Sequence, residues 1–271
     1  MLQGLSPNLN IITKSIDRAS KILLRDFGEI QQLQNSLNGI NKFVISSKRK
    51  TESVLINELL SSRPTSGYAS LGVKKIGTNK NEFFVINPID GIENYSKGIP
   101  YFSISVSLQV GDSIVAGAVY NPITDSLFYA EKGGGAFLSE SRMSRRMRCG
   151  NKLTLPESVI LISSNLEKGE NNIKSSQIKK LFDNISIYPR VLGASSLDLC
   201  YLADNKVDAF IGYNENILSS SAGMLIAKEA GAVISSYTLD GKKDKSLFQT
   251  DYLIASNIKL QSEIYSFIGV K

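Results

Sequence analysis

Near the start of the chain, apolar residues recur at spacings of three and four: Ile12, Ile16, Ala19, Leu23 and Phe27, with Lys14, Lys21 and Arg25 between them. That period predicts an amphipathic helix, and Gly28 predicts its end, because glycine readily takes the conformation that closes helices. A second helix is predicted from about Lys48 to Leu60, with Val54, Leu55, Ile56, Leu59 and Leu60 on its apolar side. Arg63-Pro64-Thr65-Ser66-Gly67 then reads as a turn. The period changes after it. Phe83-Phe84-Val85-Ile86 is a short apolar run of the kind buried on both faces. From Ser103 to Val110 the pattern alternates strictly, with Ile104, Val106, Leu108 and Val110 on one face and Ser103, Ser105, Ser107 and Gln109 on the other. Gly111-Asp112 turns this strand into Ile114 to Tyr120, and Leu127 to Ala130 continues the meander. An antiparallel sheet with helices packed on it is the expected result.

Beyond about residue 150 strands and helices alternate. Strands are predicted at Val159 to Ile162, Ile185 to Tyr188, Val207 to Ile211 and Tyr252 to Ala255. Helices are predicted at Ile173 to Phe182, Ser195 to Ala203, Ser219 to Ala230 and Leu260 to Phe267. Alternation of this kind indicates an α/β arrangement. The expected organisation is an α+β lobe over residues 1–150 and an α/β lobe over residues 151–271, joined as one compact unit. The connecting stretch holds Arg142, Arg145, Arg146, Arg148 and Lys152 with no acidic residue. No aromatic residues interleave with these cations, so a solvated loop is favoured over a nucleic-acid contact. Gly133-Gly134-Gly135 lacks the strand before and helix after that a phosphate-cradling loop needs, and reads as a turn in the meander.

Composition narrows the chemistry. Hydrophobic residues make up 42% and charged residues 21% of 271 residues, enough for a full core in an ordinary folded protein. There is no apolar run near the ~20 residues of a membrane span. Met1 to Asn10 lacks the pattern of a secretory signal. Two cysteines far apart, Cys149 and Cys200, suggest reduced thiols and a cytoplasmic location. The net charge of +6 is spread along the chain. Histidine is absent, which excludes histidine bases, histidine triads and histidine-ligated zinc.

The segment Asn87-Pro88-Ile89-Asp90-Gly91-Ile92-Glu93-Asn94-Tyr95 directly follows an apolar strand. A carboxylate at a strand end, followed by glycine and a polar helix start, suits a metal or phosphate station. An Asp-Gly turn with a helix cap would read equally well from these residues alone. Here the sequence resembles the inositol-monophosphatase family, in its bacterial extragenic-suppressor (SuhB-like) branch, whose core motif reads Asp-Pro-Ile-Asp-Gly-Thr-Thr-Asn-Phe. The resemblance continues through Arg25 to Glu29, Gly117 to Pro122, Gly134 to Leu138 and Ala222 to Gly231. It implies a layered αβαβα sandwich, and an activity in which Mg²⁺ ions held by carboxylates activate water and stabilise the leaving oxygen.

The same resemblance lets each family position be compared with this chain. Asp90 retains the motif's aspartate, and Ile89 offers a backbone carbonyl. Asn87 replaces the first aspartate with an uncharged amide. Ser219 stands where the family's Trp-Asp-x-Ala-Ala-Gly motif has its aspartate. Leu71 takes the place of a metal-binding glutamate, or Val73 if the alignment slips, and no acidic residue lies between Glu58 and Glu82. Ile92 replaces the threonine that orients the attacking water, Lys48 replaces an aspartate near the metals, and Gly212 stands where inositol phosphatases have a glutamate that contacts substrate hydroxyls. One of the family's metal carboxylates survives, and Lys48 opposes a divalent cation.

The expected function is therefore a family member with little or no Mg²⁺-dependent catalysis and a binding role. A transcription-related protein or RNA partner is suggested by analogy with the branch, and a homodimer by the family's habit. A small phosphate ligand would bind near Gly91, Ile92 and Lys48. The alternatives are an active Mg²⁺-dependent phosphatase of inositol phosphate or another small phosphomonoester, and a relic without a role.

Overall fold

The computed structural model describes residues 4–33, 37–70, 73–75, 77–141, 143–164, 183, 186–237 and 250–268. Helices α1 (Pro7–Leu33) and α2 (Leu37–Ser62) pack on each other through Ile12, Ile16, Ala19, Leu23 and Ile30 from the first and Ile40, Val44, Leu55 and Leu59 from the second. Helix α1 passes through Gly28, where the sequence predicted a stop. Buried Ile30 extends the apolar stripe by another turn, and burying such a side chain contributes about 1.5–3 kcal/mol. That outweighs the ~1 kcal/mol cost of glycine within a helix. Helix α2 likewise begins well before the predicted Lys48, because Ile40 and Val44 bury one turn apart in a stretch otherwise rich in polar residues.

The first sheet holds β1 (Gly67–Ser70), β2 (Val73–Lys75), β3 (Glu82–Asp90), β4 (Ser103–Val110), β5 (Ser113–Asn121), β6 (Ser126–Glu131), β7 (Gly135–Glu140) and β8 (Met143–Arg146), in the order β2-β1-β3-β4-β5-β6-β7-β8. Its neighbours are antiparallel except β1 and β3, which pair in parallel, so the expected antiparallel sheet is mixed at one side. A short helix, α3 (Ile92–Ser96), follows β3. The second sheet holds β9 (Val159–Ser164), β10 (Tyr188–Arg190), β11 (Ala209–Glu215), β12 (Val233–Tyr237) and β13 (Thr250–Ser256), in the order β10-β9-β11-β13-β12. Helices α4 (Ser195–Ala203), α5 (Ile217–Glu229) and α6 (Ile258–Ile268) complete the described elements. The predicted helix from Ile173 to Phe182 lies outside the described residues.

Three apolar clusters stack these elements. The first joins α1 and α2 to one face of the first sheet. The second lies between the two sheets and includes Leu197, Leu199, Ala222 and Ile226 from α4 and α5. The third joins the far face of the second sheet to α6 through Ile160, Ile211, Ile254, Leu260 and Ile264. The result is a layered αβαβα sandwich. Strand β4 shows what the layering does to a polar face: Ser103, Ser105 and Ser107 are buried, because α4 and α5 cover them. Ser107 and Ser221 hydroxyls lie 2.8 Å apart, and Ser196 donates to Ser105 at 3.3 Å.

Candidate functional site

Strand β3 buries its run from Phe84 onward and delivers Asn87, Ile89 and Asp90 at its end. Pairing with β4 slips between Asn87 and Asp90, around Pro88, which has no N–H for the ladder. Gly91 then takes a left-handed φ of 81°, and a Cβ there would meet the Tyr101 carbonyl oxygen at 3.0 Å and Ala194 Cβ at 3.1 Å. Both conformation and space call for glycine. Helix α3 has five residues, too few to carry much of the dipole that the sequence suggested as an anion attractor.

Asp90 looks across to the second half of the chain. Its Oδ2 accepts the backbone N–H of Ser196 at 2.8 Å, and the Asn87 amide donates to its Oδ1 at 3.3 Å. Ser196 lies in the first turn of α4, where Ala194 at the cap position has no side-chain acceptor. Asp90 thus supplies, from β3, the cap that α4 lacks locally. Burial pushes the Asp90 carboxyl up to about 7, with Glu215 adding to the rise, while the N–H groups of Ser196 and Leu197 and the Asn87 amide pull it back.

Glu215 was not anticipated from the sequence. Along β11, Tyr213 and Glu215 would share one face and Gly212 and Asn214 the other. Asn214 breaks this parity with a left-handed φ of 52°. Glu215 consequently folds back over Gly212: a Cβ on Gly212 would sit 2.3 Å from Glu215 Cγ and 3.1 Å from its Cδ. The Glu215 carboxylate accepts from the Ser195 hydroxyl at 3.1 Å and is also bonded to Ser163, the residue paired with Gly212 across the sheet. Only 2% of Glu215 is exposed, and burial raises its pKa above the usual carboxylate range. A third acid, Asp198, accepts from the Tyr101 hydroxyl at 2.6 Å, and burial pushes it well up. Its Oδ2 has no hydrogen-bond partner among the described residues. Three buried carboxylates thereby surround the first turn of α4.

The remaining predicted positions are distributed as follows. Lys48 is half-buried on α2, beside Ser47, whose hydroxyl lies 2.9 Å from that of Tyr95 on α3. Ile92 packs partly buried against the cluster of α1 and α2. Leu71 lies outside the described residues, as does the side chain of Ser219, which belongs to α5. The glycine turn between β6 and β7 does hold an anion, but one from its own chain: the N–H groups of Gly133 and Gly135 bond the two Glu229 carboxylate oxygens at 2.9 and 3.0 Å. In the connecting stretch Arg145 is tied to Asp204 by two bonds of 2.5 and 2.7 Å, which fits a structural rather than a nucleic-acid role for that arginine.

Two stacked sheets with helices between and outside them, and an acidic loop at the end of β3 facing the middle layer, define a phosphatase-type αβαβα fold. The chain belongs to the inositol monophosphatase family, whose profile matches residues 5–268. It is 36% identical over 225 residues to an inositol-1-monophosphatase of Rhizobium meliloti (strain 1021), covering 82% of this chain and 83% of that one. It is 28% identical over 258 residues to the Nus factor SuhB of Vibrio cholerae, covering 94% and 91%. Among solved structures, the extragenic suppressor protein SuhB of Bartonella henselae superposes with a TM-score of 0.82 at 29% identity, covering 97% of this chain and all of that one. These matches support the SuhB-like branch. No helix among the described residues is long and apolar enough to cross a membrane.

Proposed function

We propose that this chain is a family member that has lost efficient Mg²⁺-dependent phosphate hydrolysis and acts by binding. The observation that carries the reading is the engagement of Asp90. The one retained metal aspartate spends one oxygen on the Ser196 N–H and its other faces the Asn87 amide, so neither oxygen is free for a cation. Around it stand a neutral Asn87 amide and the Ile89 carbonyl, and the sequence places Leu71 and Ser219 where further anionic ligands would be needed. No group of three or more acidic or cysteine side chains among the described residues is arranged to share one ion. This donor set does not fit Mg²⁺, so no catalytic step is routed through the metal. The kinship with proteins named Nus factor SuhB supports a transcription-related protein or RNA as the binding partner; a homodimer is part of the proposal by the habit of the family alone. A small phosphate ligand near Gly91 and Ile92 would take its counter-charge from Lys48.

The test is hydrolysis of inositol 1-phosphate by purified protein across a Mg²⁺ series. No metal-dependent rate above background is expected, because losing even one transition-state-stabilising donor costs about 10²–10³ in rate. Turnover in the ordinary range of roughly 1–10³ per second would overturn the proposal.

A further inference from the structure

The outer helix α1 packs on β4, β5 and β6, while the first sheet continues through β7 to its edge strand β8. Tyr120 of β5 lies opposite Leu127 of β6, Leu127 opposite Ser139 of β7, and Ser139 opposite Ser144 of β8. The next row runs Tyr129, Phe137 and Arg146. Cross-strand partners share a face. The intervening Phe128, Ala130, Ala136 and Leu138 point the other way, into the middle layer. With α1, these two rows wall an open groove of about 1430 Å³. Tyr120, Leu127 and Phe137 are half-buried on its floor, and the small side chains of Ser139 and Ser144 keep the floor low toward β8. From β6 to β8 is two strand spacings, about 10 Å. A second helix packs beside a first at roughly 8–10 Å, so the groove has the width of one helix.

Six charged side chains line the groove, and four of them are engaged within the chain. Arg18 pairs with Glu58 and Asp17 with Lys21, Asp125 accepts from the Tyr120 hydroxyl, and Glu131 accepts from the Asn8 amide. The other two are both cations, one on each wall. Lys14 on α1 and Arg146 on β8 are exposed and have no carboxylate partner among the described residues. We propose that this groove docks one amphipathic helix of a partner protein, apolar where it meets the sheet and acidic along both flanks. Apolar residues at spacings of three and four would rest on Tyr120, Leu127 and Phe137, and flanking carboxylates would meet Lys14 and Arg146. Single-stranded RNA fits less well. Tyr129 and Phe137 stack on each other at 5.6 Å, so their facing sides are closed to bases, and two cations make a short track for a phosphate backbone. A second copy docked here would bring the same unpaired cations to the contact. The proposal rests on the binding role argued above and extends it to a surface and a class of partner.

The probe is a fluorescent peptide of about 15 residues, four helical turns, with leucine at every third and fourth position and glutamate elsewhere. Binding is read by fluorescence anisotropy. The unaltered chain should bind it about tenfold or more tightly than a lysine peptide with the same leucines. Ser144→Trp fills the groove from an exposed position, and should weaken binding by about tenfold or more with circular dichroism unchanged. Lys14→Glu combined with Arg146→Glu should reverse the preference between the two peptides. If the tryptophan variant does not fold, this charge-reversed pair, both on the surface, decides alone. No binding of the glutamate peptide, equal binding of both peptides, or binding indifferent to these variants would overturn the proposal. So would displacement of the peptide by oligouridine, which would make the surface a nucleic-acid site. A changed oligomeric state in Ser144→Trp would overturn it too, by making the groove an interface between copies. Inositol 1-phosphate hydrolysis is measured separately, and turnover there would refute the non-catalytic reading without altering any of these outcomes.

Discussion

Asp90 is at once a buried acid and the cap of a helix that begins on another strand's far side. The first property costs stability when the group ionises; the second supports α4 through the Ser196 N–H. The pH dependence follows from the direction of its shift. In the unfolded chain Asp90 ionises near 3.8, whereas in the folded chain it stays protonated up to about 7. Between those values the unfolded chain releases its proton first, so the stability tied to Asp90 is complete below about pH 4 and declines until about pH 7. Asp198 and Glu215 are shifted the same way. Urea unfolding should therefore show a lower midpoint at pH 8 than at pH 5. Asp90→Asn keeps an acceptor oxygen without the charge, and should narrow that gap while equalling or exceeding the unaltered chain at pH 8. Asp90→Ala removes the cap and should lose about 0.5–2 kcal/mol at pH 5. A higher midpoint at pH 8, or a gap untouched by asparagine, would contradict this account.

At the scale of elements, α1 holds a glycine in its middle that does no packing. Gly28 has helical geometry, and a Cβ there would meet nothing within 4 Å. Gly28→Ala should raise stability by about 0.5–1 kcal/mol, seen as a higher urea midpoint at unchanged slope. A destabilised variant would mean that the chain needs freedom at that point. The same residue shows where sequence reading stopped. The stripe from Ile12 to Phe27 was legible, but Ile30 lay beyond a residue that usually ends helices. The alternation of β4 and the strand-end loop after β3 were legible too, because each pattern is local. The burial of the serine face of β4 was not, since it depends on α4 and α5, which come some ninety or more residues later. Strands β1, β2, β8 and β12 were missed because they are short and gain their place from neighbours, and β7 because its first residue, Gly135, belongs to the glycine run read as a turn. Glu215 was invisible for a different reason: strand parity puts it on the wrong face, and only the backbone of Asn214 reverses it.

Across the whole molecule, the middle layer ties the two halves together. Val119, Phe128 and Leu138 of the first sheet share one apolar cluster with Leu161, Phe210 and Leu253 of the second. Asn94 donates to the carbonyls of Tyr101 and Leu192 at 2.8 and 2.7 Å, and Glu229 holds the β6–β7 turn. With so much of the core shared, the halves should unfold together. Far-ultraviolet circular dichroism and tyrosine fluorescence should trace the same urea transition. Two separated transitions would show that the lobes are independent and that the shared layer is weaker than its burial implies.

The crowding of Gly212 by Glu215 also constrains which substitutions the chain can accept and in what order. A side chain cannot be placed at position 212 while Glu215 stays folded over it, since the first carbon would land 2.3 Å from Glu215 Cγ. Glu215 must leave, or Asn214 must change, before a glutamate at 212 could be accommodated. The order of substitutions away from this arrangement is thus constrained: a change at 214 or 215 has to precede any larger residue at 212. The dependence runs one way: glycine at 212 is tolerable with any residue at 215, whereas a folded-back Glu215 is tolerable only with glycine at 212.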